Sequence, residues 1–258
     1  MAGRRTRFAV GLGQFVARRA AALVLAGAVA VTPALAPAAD LTDLIVFDVV
    51  LKGLRAGKLT LRGSVEGTAY EASGTLESAG LVRLVRKVKY VAEASGTLKN
   101  GRYTPARYSE VADTGKRVSE SVVEYRNGVP QVKVYNPPRP PIATDVNPAT
   151  QGGTLDPLTA LYATLRDVPA AEACTLAVVM FDGKRRSQIT LSAPEPVAGG
   201  GVACAGEYRR LAGFTDTEMA DKVAFPFRLI YVPVGEGMMR VNLIETDTTF
   251  GQGLLRRR

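Results

Sequence analysis

Along most of the chain, apolar and polar residues alternate. In KLTLRGSVE (58–66), Leu59, Leu61 and Val65 fall on one side, and Lys58, Thr60, Arg62, Ser64 and Glu66 on the other. A period of two with one wet face predicts a strand of an antiparallel sheet. LIVFDVVLK (44–52) predicts a strand apolar on both faces, and GLRAG (53–57) the turn that joins the two. Hairpin signals follow: NG at 100–101, DTG at 113–115 and NG at 127–128. They separate RYTPARYSEV, KRVSESVVEYR and VPQVKVY, a meander of adjacent strands. CTLAVVMFD (174–182), KRRSQITLS (184–192), VACAGEYRRLAGF (202–214), FPFRLIYVPV (225–234) and MMRVNLIETDTTF (238–250) continue it, the last two joined by GEG (235–237). Ten or eleven strands are expected. EASGTL occurs at 71–76 and 93–98 without a third copy, which fits two similar strands of one sheet rather than a repeat array.

Two stretches break the alternation. DPLTALYATLR (156–166) opens with an N-capping Asp156 and with Pro157 at the first helical position. Leu158, Leu161, Tyr162 and Leu165 then repeat at i, i+3, i+4 and i+7, one apolar stripe of a short helix. So short a helix is unstable alone and must pack its stripe on the sheet. GLVRLVRKV (80–88) has Leu81, Leu84, Val85 and Val88 at helical spacing, with Arg83, Arg86 and Lys87 opposite. A strand with Val82, Leu84, Val88 and Tyr90 on one face fits it less well, being interrupted by Arg86. The Arg83, Arg86 and Lys87 stripe reads either as a contact for anionic lipid or polysaccharide, or as the solvated outside of a helix with a buried inside. NPPRPPIATDVNPATQGG (136–153) has no periodicity, and its prolines exclude a central strand or a helix. It is expected to be a surface crossover within one domain.

A sheet of ten or so strands twists and curls. The expected fold is therefore mainly β: a curved antiparallel half-barrel of about ten strands, covered by one or two short helices. The helix at 156–166 would cover the concave apolar face, either filling it or leaving room for an apolar ligand. In the second case Leu158, Leu161, Tyr162 and Leu165 would line the cavity from the helix side, and Val178 and Met180 from the sheet.

Composition adds an address. Arg4, Arg5, Arg7, Arg18 and Arg19 precede the apolar run AAALVLAGAVAV (20–31), and small residues follow it. This is the pattern of a cleaved signal peptide over 1–38, with a mature single domain from about Ala39 to 258. An uncleaved membrane anchor is the alternative, but Pro33 and Pro37 interrupt it. Losing the leader lowers the net charge from +9 to +4, because five arginines go and no acid does. The remaining basic excess suits an anionic envelope surface better than nucleic acid. Cys174 and Cys204, an even pair in an exported chain, are expected to form a disulfide.

The chain has no histidine. That removes His-based nucleophile pairs and general bases, and leaves two thiols unable to complete a zinc site, so no metal and no cofactor is expected. GxSxG and GxxxxGK are absent. Glu245 and Asp247 share a strand face, as solvated charges commonly do. DGKRRS (182–187) reads as a charged turn without chemistry. No catalytic residue is expected, and basic residues interleaved with aromatics, the signature of single-strand nucleic-acid binding, are missing.

Six pieces stand in a recognisable order: FDVVLKGLRAGKLTL (47–61), SAGLVRLVRKV (78–88), TPARYSE (104–110), DPLTALYATLR (156–166), VMFDGKRRSQITL (179–191) and CAGEYRRLAGF (204–214). Together they resemble the exported bacterial family catalogued as domain of unknown function 3108, across about 46–250. The resemblance implies, by fold analogy, an architecture similar to the LolA/LolB-type lipoprotein carriers, though this chain has no lipid-anchoring cysteine. The resulting expectation is a monomeric periplasmic protein, not an enzyme, that binds or carries a lipid-like envelope amphiphile. The alternative is an envelope-assembly interaction protein with a filled core, acting through its outer surface on a protein partner.

Overall fold

The computed structural model describes residues 41–248 and 251–258. The leader expected over 1–38 and the mature start near Ala39 lie outside the described residues. The elements run in chain order as β1 (Leu41–Leu51), β2 (Leu54–Glu66), β3 (Ala69–Ser78), α1 (Gly80–Val85), β4 (Lys89–Lys99), β5 (Arg102–Asp113), β6 (Val118–Arg126) and β7 (Val129–Asn136). They continue as α2 (Pro157–Leu165), β8 (Val168–Pro169), β9 (Ala177–Phe181), β10 (Arg186–Val197), β11 (Gly201–Ala212), α3 (Asp216–Asp221), β12 (Ala224–Gly235), β13 (Met238–Thr248) and β14 (Gly251–Arg257). All fourteen strands join one antiparallel, unclosed sheet, more strands than the alternation alone separates.

The strand order is β7-β6-β5-β4-β3-β2-β1-β14-β13-β12-β11-β10-β9, with short β8 paired to β13. Two meanders meet where β1 pairs with β14, from Phe47 opposite Arg257 to Leu51 opposite Gly253. The edges are thus β7 and β9, and the chain between them carries the Pro-rich crossover and α2. The two EASG segments pair with each other across β3 and β4, Ala72 opposite Ala94. Before α2, Gly153 N donates to Gly128 O on the β6–β7 turn. Leu155 then exchanges backbone bonds with Val179 and Phe181 on β9. The crossover bridges the gap that the sheet leaves open.

β2 follows the alternation closely, with Leu59, Leu61 and Val65 buried and Arg62 and Glu66 exposed. β1 departs from expectation: Ile45 and Phe47 are buried, but Leu44 is exposed, so only one face is covered. α3 has no apolar stripe and was not expected. Its signal is local: Thr215 accepts from Glu218 N, and Glu218 accepts from Thr215 N, a capping box. The Cys174–Cys204 disulfide forms and ties the start of β9 to β11. Closing a loop of 30 residues contributes about 3–4 kcal/mol on the chain-entropy account.

α2 is more deeply enclosed than a lid. Seven of its nine residues are buried, including Thr159, Ala160 and Thr164 on the side opposite the apolar stripe. Glycines in the sheet let it come this close. A Cβ on Gly63 of β2 would lie 2.2 Å from the Tyr162 ring, and one on Gly74 of β3 would lie 2.8 Å from Leu158. Asp156 caps α2 while fully buried: Oδ1 accepts from Thr159 N at 2.8 Å and Oδ2 from Thr159 Oγ1 at 2.6 Å. That uses the threonine proton, so the Tyr70 hydroxyl donates to Thr159 Oγ1, at 2.8 Å. Burial pushes the Asp156 carboxyl up to about 6, against the opposing hydrogen bonds from Thr159.

Two outcomes follow. Gly63→Ala drives a methyl group into the Tyr162 ring and is expected to cost about 1–3 kcal/mol, read from urea unfolding; an unchanged midpoint contradicts the close contact. For Asp156, the folded pKa lies above the unfolded one, so between about pH 4 and pH 6 the folded state keeps a proton that the unfolded state has released. Stability relative to Asp156→Asn should therefore fall as pH rises through that window, by roughly 3 kcal/mol at most. A difference between the two proteins that does not change with pH overturns this.

Candidate functional site

The expected cargo space is the place to begin, because α2 occupies it. Leu158 and Leu165 are buried in the core, and Leu161 and Val178 pack against it. Tyr162 and Met180 are also buried, but each reaches the lining of a cavity at one end of the sheet. The structure therefore divides the six predicted cavity residues between one packed core and two separate ends.

At the end where α2 finishes lies a cavity of about 380 Å³, lined in part by Val65, Leu98, Tyr162, Arg166 and Met238. The Tyr162 hydroxyl donates to Asp43 there. Tyr103 stands edge-on to Tyr70 at 4.9 Å and to Tyr162 at 6.3 Å between ring centroids. The guanidinium of Arg166 reaches Glu172, and the nearby Asp167 is held by Arg240 and Arg257. Most charges at this end are thus neutralised within the protein.

At the opposite end, where α2 begins, a larger cleft of about 590 Å³ opens between the β5–β7 meander and the β9–β10 hairpin. Its cations are Arg117 before β6, Arg139 in the crossover, and Lys184 and Arg185 in the hairpin turn, and the same lining carries Glu110, Glu120, Asp145 and Asp182. Lys184 and Arg139 flank Tyr135 of β7. Lys184 Nζ donates to the Tyr135 hydroxyl and lies 3.6 Å from the ring centroid, while the Arg139 guanidinium stands 5.9 Å from it. Burial alone would raise the Tyr135 pKa, but hydrogen bonds and charge from Lys184 and Arg117 outweigh it and hold the phenol below its ordinary value. On another wall, the Tyr108 hydroxyl donates to Glu110 Oε2 at 2.9 Å, and burial raises the Glu110 carboxyl. Two buried converging carboxylates, the arrangement for acid–base catalysis, do not form: the neighbouring Asp182 is exposed, and its Oδ1 accepts from the backbone of Lys184 and Arg185.

α1 sits on the same end. It is a helix as expected over its first part, but ends at Val85, and β4 resumes from Lys89. Its apolar side, expected to be buried or to contact a surface, is not packed against the protein. No residue of α1 is buried: Leu81 is 65%, Leu84 83% and Val85 90% exposed. Bonds from Ala79 N to Ala56 O and from Ser78 N to Val88 O hold the segment at its two ends, while the helix stands clear of the core. Arg83, Arg86 and Lys87 are exposed with it, and Arg86 Nε reaches the carbonyl of Thr114 at 3.3 Å. The six residues are too few to wrap the stripe onto a surface, and β2 beneath offers Leu54 and Arg55, both exposed themselves.

Arg117, Tyr135, Arg139 and Lys184 did not stand out in the sequence. DGKRRS reads as an ordinary charged turn, and only the meeting of the sheet's two edges brings it to Tyr135. Glu245, half of the carboxylate pair on β13, is engaged by Arg228 at 3.6 Å. Among the described residues, no group of three or more His, Cys, Asp or Glu is arranged to hold a metal ion.

The family model described as "Protein of unknown function (DUF3108)" matches residues 46–198. No curated protein matches. Among solved structures, the crystal structure of a beta-barrel-like protein of domain of unknown function DUF1849 from Brucella abortus is similar, at 11% identity and a TM-score of 0.45, with 84% of this chain and 95% of that one covered.

Proposed function

The chain belongs to the DUF3108 family of unknown function, and from that premise, which brings a fold and no reaction, we propose that it is an exported, periplasmic, non-catalytic protein of the cell envelope that docks on an anionic membrane surface through α1. The observation that carries the reading is the outward display of Leu81, Leu84 and Val85 beside Arg83, Arg86 and Lys87. A water-soluble surface rarely presents large aliphatic side chains together on one short helix without a partner. A bilayer interface fits both parts of the patch. Each aliphatic side chain taken fully from water contributes about 1.5–3 kcal/mol, and each cation near an anionic surface about 1 kcal/mol. The disulfide is in keeping with export, since such bonds persist in oxidising compartments. Carriage of an apolar cargo on the concave face has no place in this reading, because α2 is packed there.

The test is co-sedimentation of the purified protein with vesicles. Binding to phosphatidylglycerol-containing vesicles is expected, with little binding to phosphatidylcholine alone and a loss as salt is raised. Leu84→Glu with Val85→Glu, and separately Arg83→Glu with Arg86→Glu and Lys87→Glu, should abolish it at nearly unchanged melting temperature, since none of the five side chains is buried. Equal adhesion to neutral vesicles, or none to anionic ones, would falsify the reading.

A further inference from the structure

The β1–β2 turn, α1 and the β5–β6 turn form one surface at the end of the sheet where α2 begins. Where the chain leaves β3, it passes so close to β2 that a Cβ on Gly80 would lie 2.5 Å from the Arg55 carbonyl, and Ala79 N donates to Ala56 O. Before it enters β4, a Cβ on Gly115 would lie 2.6 Å from the Lys87 carbonyl, and Arg86 Nε donates to Thr114 O at 3.3 Å. The α1 segment therefore lies across the ends of β2, β3, β4 and β5, three strand spacings or about 14 Å.

Two features single this surface out, and neither is confined to α1. The first is apolar. Among the described residues, the six most exposed large apolar side chains are Val85, Leu84, Leu81, Leu54, Leu44 and Val118. Only Leu44 lies elsewhere: Leu54 follows the β1–β2 turn and Val118 follows the β5–β6 turn. The second is charge. Residues 52–57, 79–89 and 113–117 hold eight cations, all exposed, and one acid, Asp113. These segments net +7 and the whole of 39–258 nets +4, so the remainder of that chain is negative, at −3. Of the eight cations, only Arg55 is in an ion pair among the described residues, with Asp48. Asp48, Glu77, Glu110 and Glu120, on the adjoining β1, β3, β5 and β6, still leave the cations in the majority. Apolar tips set among cations match the interface of an anionic bilayer, which takes the first beneath its head groups and holds the second at them. We infer that the membrane footing is this whole end of the sheet and not α1 alone. Leu54 and Val118 enter the interface on either side of α1, Lys52, Lys116 and Arg117 sit at the head groups, and the strands stand end-on to the bilayer. The inference rests on the reading that α1 docks on such a surface, and adds to it two turns and an orientation.

The chain has no tryptophan, so a single one introduced by substitution reports its own position. Leu54→Trp, Val118→Trp and Leu84→Trp, each in the full exported chain, are mixed with phosphatidylglycerol vesicles. Val234→Trp marks the opposite end, where Val234 lines the smaller cavity and is 40% exposed. Emission from positions 54 and 118 should shift to the blue and be quenched by brominated acyl chains, as from position 84, while that from 234 should not change. Lys52→Glu with Lys116→Glu, on two turns outside α1, should weaken vesicle partitioning roughly tenfold or more at an unchanged melting temperature, since both side chains are exposed. If that pair melts early, Lys116→Glu alone should show a smaller loss in the same direction. Quenching at 84 but not at 54 and 118 overturns the inference and leaves the docking of α1 standing, the turns then being free for a partner other than lipid. Quenching at all four positions, or partitioning unaffected in the folded charge variants, also overturns it. Failure of the protein and every variant to bind the vesicles removes both readings.

Discussion

The hydroxyl end of the Tyr162 ring lies directly against Gly63 of β2, and that contact sets the position of everything else on the concave face. Gly63 removes the side chain that would hold α2 off the sheet, and Gly74 does the same beneath Leu158. The helix therefore sinks until Thr159 and Asp156 are fully buried as well. Burying that carboxylate is costly, and the bonds from Thr159, itself bonded by Tyr70, offset part of the cost. With α2 in this place, the apolar surface of a wide curved sheet is satisfied internally. What the molecule offers to other molecules is left at the two ends of the sheet and on its outer face.

The topology explains why a helix in mid-sequence can do this. The chain's described ends pair with each other in the middle of the sheet, β1 on β14, so the sheet's free edges belong to residues near the middle of the chain. Any connection between β7 and β9 must cross the mouth between them. The crossover does so with backbone bonds at Gly153 and Leu155, and α2 follows directly. The same crossing brings the β9–β10 turn to Tyr135 and so assembles the charged cleft from parts remote in sequence.

Much of this is legible in the sequence. The period-two runs and the NG and GEG turns give the strands, and the Asp-Pro cap and the i, i+3, i+4, i+7 stripe give α2. The disulfide follows from an even cysteine count together with the export expected from the leader pattern. The depth of α2 is not legible, because an apolar stripe looks the same on a lid and on a buried helix; the glycines that decide it stand on other strands. α1 misleads for a different reason. Its spacing says that an apolar side exists, but only the length of the helix and the lack of a surface under it show that the side is left in water. The cleft is hidden because its residues acquire meaning only when the edges of the sheet meet, and α3 because a capping box without an apolar stripe is easily read as a turn.

The central claim is that α2 is part of the core and not a movable cover. Native-state hydrogen exchange on the backbone amides of 160–166, several of which bond within α2, tests it directly. Amides of a helix enclosed on all sides exchange only when the whole fold opens, so they should fall among the slowest in the protein, with an opening free energy matching global unfolding. Exchange through a low-energy local opening, as fast as that of the exposed α1, would show a lid that lifts and would return the concave face to use as a cavity.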